Sequence, residues 1–258
     1  MTEAVQVLSA GSMRHAFPAI IEAYTEATGI AVSLSLGPAG LLRERIEVGE
    51  RFDLFASANM EHPRRLAATG VTEEAICFTR NRLCVITRAD LGMTTENFLD
   101  VLSDSSVKIG TSTPGDDPSG DYAFEVFDRI ETRHPGMGTT LKARARQLVG
   151  GRNSPPTPPG KGGGYLITDG EADLMMSYYS NARLLEPDPA FRVVDIPAEF
   201  SPKVEYGLGP RKGAPNEARR LQDFVLSKGG QEILRRAGFL PVSSLSPAAR
   251  RDHRQVNR

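Results

Sequence analysis

One local pattern recurs three times along the chain. A short apolar strand enters a turn of small residues, and the turn opens an amphipathic helix. In the first copy Val5-Gln6-Val7-Leu8 runs into Ser9-Ala10-Gly11-Ser12, then a helix carrying Phe17, Ile20, Ile21 and Tyr24. In the second, Val32-Ser33-Leu34-Ser35-Leu36 runs into Gly37-Pro38-Ala39-Gly40, then Leu41-Leu42-Arg43-Glu44-Arg45-Ile46. In the third, Val107-Lys108-Ile109-Gly110 precedes a loop ending Asp117-Pro118-Ser119-Gly120, then Tyr122, Ala123, Val126, Phe127 and Ile130. Such alternation predicts a mostly parallel sheet covered by helices on both faces, with ligands beyond the carboxyl ends of the strands. A helix start presents unpaired N–H groups and a positive dipole end, which suit an anion. Gly, Ala and Ser at those starts let a ligand approach the backbone. Three such turns predict one converging site.

The remaining pattern divides the chain into two α/β sets, and 258 residues suffice for two lobes. In the first set, Asp53-Leu54-Phe55-Ala56 reads as a third strand, followed by a helix from Met60 to near Gly70. Leu83-Cys84-Val85-Ile86 reads as its fully apolar fourth strand. The second set runs from about residue 88 to 200, with a helix near Thr139 to Leu148 and the strand Leu174-Met175-Met176-Ser177-Tyr178. Between them the Pro/Gly-rich stretch 150–164 reads as a long loop. Strands near 192–196 and 203–208, two helices over 215–237 and a C-cap at Gly238 complete the pattern. The polar, basic segment 246–258 has no periodicity and is expected to be disordered.

The composition removes several classes of function. A formal net charge of −1 gives no electrostatic footprint for nucleic acid or an acidic membrane. No apolar run approaches the roughly 20 residues of a membrane helix. Met1-Thr2-Glu3-Ala4 lacks the basic and then apolar stretch of a leader, which fits either a cytosolic chain or one whose leader was removed. Cys77 and Cys84 flank a possible hairpin turn, Thr79-Arg80-Asn81-Arg82. They fit either a disulfide across it or two separate thiols. No His or further Cys lies at metal-ligand spacing. Gly160-Lys161 lacks the Ser or Thr of a phosphate-binding loop, and no Gly-x-Ser-x-Gly nucleophile elbow occurs. His15, His62, His134 and His253 are scattered and read as solvated, while Arg43 and Arg45 read as surface charge on their helix or as added positive potential at the cleft. Asp117 reads as an N-cap before Pro118 rather than as an anion ligand. Ser12 and Ser119 each offer an N–H and a hydroxyl, so capping and ligand donation are both open to Ser12.

Several blocks, in order, are similar to the substrate-binding protein of molybdate ABC transporters. They are Val5 to Met13; Leu41 to Gly49 followed by Phe52-Asp53-Leu54-Phe55-Ala56-Ser57-Ala58; and Pro118-Ser119-Gly120-Asp121-Tyr122-Ala123. Tyr178-Tyr179-Ser180-Asn181-Ala182, Lys203-Val204-Glu205-Tyr206 and Gly238-Phe239 continue the series, so the similarity spans about residues 5 to 241. The resemblance implies a two-lobed periplasmic-binding-protein-like α/β fold of type II, with two crossing hinge segments and the ligand cleft between the lobes. Residues 1–86 and 201–245 would form the first lobe and 87–200 the second. It implies ligand binding by Ser12, Ala39, Ser119, Tyr178 and Gly160, the last within a loop unlike the family's. Ala39 stands where the family usually has Ser, and Ser119 where it usually has Ala.

The implied function is high-affinity capture of molybdate or tungstate and delivery to a membrane permease. The resemblance thus implies a monomeric, non-enzymatic protein outside the cytoplasm, without cofactor or cation site. Another oxyanion or a small organic acid, and an intracellular ligand-sensing role, are the alternatives.

Overall fold

In the computed structural model, residues 3–156, 158 and 163–242 are described. Strands β1 (Val5–Ala10), β2 (Val32–Gly37), β3 (Leu54–Ser57), β4 (Ile76–Asn81), β5 (Leu83–Arg88) and β6 (Ile109–Ser112) come first. They are followed by β7 (Arg146–Val149), β8 (Leu174–Tyr178), β9 (Phe191–Asp195), β10 (Val204–Pro210) and β11 (Leu240–Pro241). The strands form two sheets, ordered β11-β4-β10-β3-β1-β2 and β7-β6-β8-β5-β9, each the centre of one lobe.

Both sheets are mixed rather than mostly parallel. β1 pairs in parallel with β2 and β3, as the strand–helix repeats predict, but β10 enters antiparallel between β3 and β4. In the second sheet β6 pairs in parallel with β7 and β8, while β5 lies antiparallel between β8 and β9. The antiparallel strands are those next to the two crossings, where the chain changes sheets without a crossover helix.

The first crossing occupies the single residue Arg82, between β4 and β5. Leu83 to Ile86, expected in the first lobe, therefore belongs to the second sheet. A run apolar on every residue, as Leu83 to Ile86 is, needs cover on both faces, and β5 has it there. Leu83 and Val85 join the main core, while Cys84 and Ile86 join a smaller cluster with Leu166, Ala172 and Met175. Ile76–Asn81, which the sequence reading passed over as a strand, supplies the first half of the crossing. Cys77 and Cys84 consequently lie in different sheets, and both are free thiols. Burial pushes the Cys84 thiol up to about 12 and raises Cys77 as well, so neither is a ready thiolate.

Local chemistry explains the helix ends. Asp117 caps Pro118–Arg133, accepting the Ser119 N–H, with Pro at the first position. The expected helix over 139–148 is shorter, Met137–Arg144, because the chain extends into β7 at Arg146. Gly238 adopts φ +88 just beyond Lys228–Arg236, the left-handed conformation that glycine supplies at a helix end. Among the described residues, no helix is long and apolar enough to cross a membrane. Segment 246–258, expected to be disordered, lies outside the described residues.

Candidate functional site

Ser12 lies in the tight helical turn Gly11–His15 that follows β1. Its Oγ is 2.9 Å from the hydroxyl of Tyr206, a fully buried residue of β10. That hydroxyl also lies 3.4 Å from Asn81 Nδ2, which donates to Ser180 Oγ at 2.9 Å. Asn81 Oδ1 accepts the N–H of Arg82 at 2.9 Å and of Ser180 at 3.4 Å. Asn81 and Tyr206 thus sit on the two segments that cross between lobes and connect Ser12 of the first lobe to Ser180 of the second.

Tyr178 ends β8, its ring 5.6 Å from that of Tyr206 and 6.4 Å from that of Tyr122, both edge-on. The residue is only 3% exposed, yet its hydroxyl has no hydrogen-bond partner among the described residues. Leaving such a group unpaired costs about 1–3 kcal/mol. Burial, reinforced by Tyr206 and Asp117, holds its pKa well above the ordinary tyrosine value. The group is therefore a protonated donor. Tyr206 is raised for the same first reason.

Ser119 is buried in the first turn of Pro118–Arg133. Its N–H is committed to Asp117 Oδ1 at 3.3 Å, while Asp117 Oδ2 accepts from Ser112 Oγ at 2.6 Å. The hydroxyl is then the donor Ser119 has to offer. Burial raises the Asp117 pKa, with its hydrogen bonds and the Arg14 charge opposing. Arg14, exposed beside Ser12, donates from Nε to the Gly11 carbonyl at 2.8 Å.

The second turn has a different use. Ala39 is fully buried at the start of Ala39–Glu47, and the next two N–H groups point across to the other lobe. Gly40 and Leu41 donate to the Asp116 carbonyl at 3.0 and 3.3 Å. A Cβ on Gly40 would lie 2.2 Å from the Gly115 carbonyl oxygen, so only glycine permits the approach. The Asp116 carboxylate accepts the Arg152 N–H at 2.9 Å and Nη2 at 3.0 Å, and Arg152 Nη2 also reaches Glu44 at 3.1 Å. Helix start and loop form a clasp between lobes. Gly160 lies outside the described residues.

Two of the residues expected at the surface are buried. Arg43 is 8% exposed and pairs with Glu47 at 2.7 Å, which also accepts Arg65 Nε at 3.0 Å. His62 is buried, with Nε2 unpartnered among the described residues; burial first, then Arg43 and Arg65, lower its pKa to about 4. Both residues face the packed seam between helices Ala39–Glu47 and Glu61–Ala68, which single-helix periodicity did not reveal. Arg45 and His15 are exposed as expected.

Of the residues expected to bind a ligand, the structure brings Ser12 and Tyr178 to Tyr206, which with Asn81 and the Asp116–Arg152 clasp was not among the expected site residues. Tyr206 ends one of the recognisable blocks, Lys203 to Tyr206, and that was its only signal. Beside the site, a cavity of about 250 Å³ is lined by Asn59, Met60 and Glu61 on one lobe, Asp121, Tyr122 and Glu125 on the other, and Lys203 and Glu205.

The sequence matches the family described as "Bacterial extracellular solute-binding protein" over residues 5–240. A Pasteurella multocida (strain Pm70) protein named "Uncharacterized protein PM1146" is 40% identical over 242 residues, covering 93% of this chain and 99% of that one. Among solved structures, the periplasmic molybdate-binding protein of Azotobacter vinelandii is similar at TM-score 0.74 and 18% identity, covering 93% of this chain and 100% of its own. The sulfate-binding protein SubI of Mycobacterium tuberculosis matches at TM-score 0.74 and 18% identity, covering 97% and 90%. AfuA of Actinobacillus pleuropneumoniae, with fructose-6-phosphate bound, matches at 0.72 and 15%, covering 95% and 88%. At these identities the structural likenesses establish the two-lobed fold. Matched from β1 to β11, the chain belongs to the bacterial extracellular solute-binding proteins.

Proposed function

We propose that this chain captures a tetrahedral oxyanion, molybdate or tungstate, between its lobes and hands it as a monomer to an ABC-importer permease outside the cytoplasm. The carrying observation is the buried Tyr178 hydroxyl, unpartnered among the described residues, one ring away from the Ser12–Tyr206 hydroxyl pair. Neutral donors from both lobes suit a dianion. Each bond to a charged acceptor is stronger than its neutral counterpart, and exclusion of water on closure strengthens it further. Ser119 adds a third hydroxyl from the second lobe, and Ala39 would contribute backbone alone. Molybdate and sulfate in the names of proteins sharing the fold support the oxyanion class.

Calorimetric titration with molybdate, tungstate, sulfate and phosphate tests the reading. We expect one site per chain and Ser12→Ala weaker by about tenfold, the value of one charge-assisted hydrogen bond. Failure of all four anions to bind, or equal affinity in Ser12→Ala, refutes it.

A second reading keeps the fold and enlarges the ligand to an organic acid or phosphate ester. One observation favours it: the buried Asp117 carboxylate, which suits a ligand group bearing a proton. Fructose-6-phosphate and small carboxylic acids in the same titration series separate the two, because only the true ligand raises the melting temperature steeply.

A further inference from the structure

We propose that Asn81 and Tyr206, on the two crossing segments, hold the Ser12 hydroxyl with its proton turned to the ligand, so that the site selects against a ligand bearing a proton there. The inference rests on the oxyanion function proposed above.

The polarity follows from counting protons. Asn81 Oδ1 receives two backbone N–H groups, from Arg82 and Ser180, which fixes the orientation of the amide. Its NH2 therefore faces Ser180 Oγ at 2.9 Å and the Tyr206 hydroxyl at 3.4 Å, and can only donate to both. The Tyr206 oxygen is thus an acceptor towards Asn81. Its single proton has one acceptor within reach among the described residues, Ser12 Oγ at 2.9 Å. Any other direction would leave a buried proton without a partner. Ser12, accepting from Tyr206, keeps its own proton for the ligand. The backbone of a crossing strand thereby sets the sense of a hydrogen bond in the cleft. Tyr178, whose hydroxyl has no partner among the described residues, presents a second donor of the same sense. A fully deprotonated oxygen satisfies both hydroxyls, whereas a protonated one meets donor with donor. Asn81 and Tyr206 are positioning residues, acting through Ser12.

The test is a mutant cycle read by calorimetry, using as probe whichever of molybdate, tungstate, sulfate and phosphate the wild type binds most tightly. Asn81→Asp replaces the amide donor by an acceptor. Tyr206 then turns its proton towards the new carboxylate, Ser12 donates to Tyr206, and the ligand loses a donor. Expected losses are about 30-fold for Asn81→Asp and about threefold for Tyr206→Phe, which frees Ser12 without reversing it. Adding Tyr206→Phe to Asn81→Asp should recover about tenfold, because the reversed link is then cut. The Asn81→Asp loss should also shrink on acidification, since a buried carboxyl readily takes up a proton and can donate again. A double variant no tighter than Asn81→Asp overturns the inference. Should Asn81→Asp fail to fold, Tyr206→Phe must cost affinity in the wild type and none in Ser12→Ala; equal costs overturn it. A wild type that binds none of the four anions instead overturns the proposed function, and the inference falls with it.

Discussion

Gly40→Ala separates the clasp from the fold. The added Cβ would stand 2.2 Å from the Gly115 carbonyl oxygen and 2.7 Å from that of Asp116, where ordinary contact begins at 3.4 Å. The obstructing atoms are backbone, so relief requires the lobes to part by roughly 1 Å. That breaks the bonds from Gly40 and Leu41 to the Asp116 carbonyl, at 3.0 and 3.3 Å. At about 1 kcal/mol net for each bond, closure loses about 2 kcal/mol, or roughly 30-fold. The Arg152–Glu44 pair is 58% and 41% exposed on its two sides and adds little. Within the first lobe alone the substitution is benign, because alanine favours a helix over glycine by up to about 1 kcal/mol. Gly40→Ala should therefore melt at or above the wild-type temperature while binding the proposed oxyanion roughly 30-fold more weakly, since ligand must also drive the impaired closure. Calorimetric titration and thermal denaturation of the same preparation measure both. Affinity within twofold of wild type would refute the idea that this contact is part of the liganded state.

Two further outcomes follow from buried groups. Tyr178→Phe removes a hydroxyl without a partner among the described residues, so the ligand-free protein should keep its stability or gain up to about 1 kcal/mol, while affinity for the proposed oxyanion falls about tenfold; scanning calorimetry showing a destabilised free protein would assign the hydroxyl a structural role instead. His62 has its pKa lowered in the folded state to about 4 from 6.5, so folding is unaffected at neutral pH and loses stability as pH falls through the unfolded value, by roughly 2 kcal/mol at pH 5. Burial dominates, Arg43 and Arg65 add to it and Glu47 opposes. Urea unfolding between pH 7 and 5 should show this loss, and His62→Leu should abolish it.

The legible parts of the sequence were those written in local periodicity. The turns after β1 and β2 and the Asp117 cap were each read from a handful of neighbouring residues, and each exists. What local pattern does not encode is partnership between distant segments. Leu83 to Ile86 of β5 is apolar throughout, which demands two covered faces but does not say in which sheet; pairing with β8 and β9 decided that. His62 and Arg43 sit on polar-looking helices, and only the packing of those helices against each other buries them. Tyr206 lies 194 residues from the Ser12 it touches.

The same limitation explains why similar turns do different things. A helix start always exposes N–H groups, but what meets them depends on where the other lobe stands. At the second turn they meet the Asp116 carbonyl; at the third, the Asp117 carboxylate takes the Ser119 N–H before any ligand can. The backbone donors that made these turns look like an anion site are thus partly consumed in holding it together. In the proposed site discrimination would then pass to hydroxyls, on Ser12, Tyr178 and Ser119, whose protons can be aimed by neighbours. Asp116 and Asp117 make the division concrete: adjacent in sequence, one anchors the clasp between lobes and the other sets the helix that carries Ser119. On the proposed function, closure and ligand selection would therefore meet in two consecutive residues, and a change that displaces either one should disturb both.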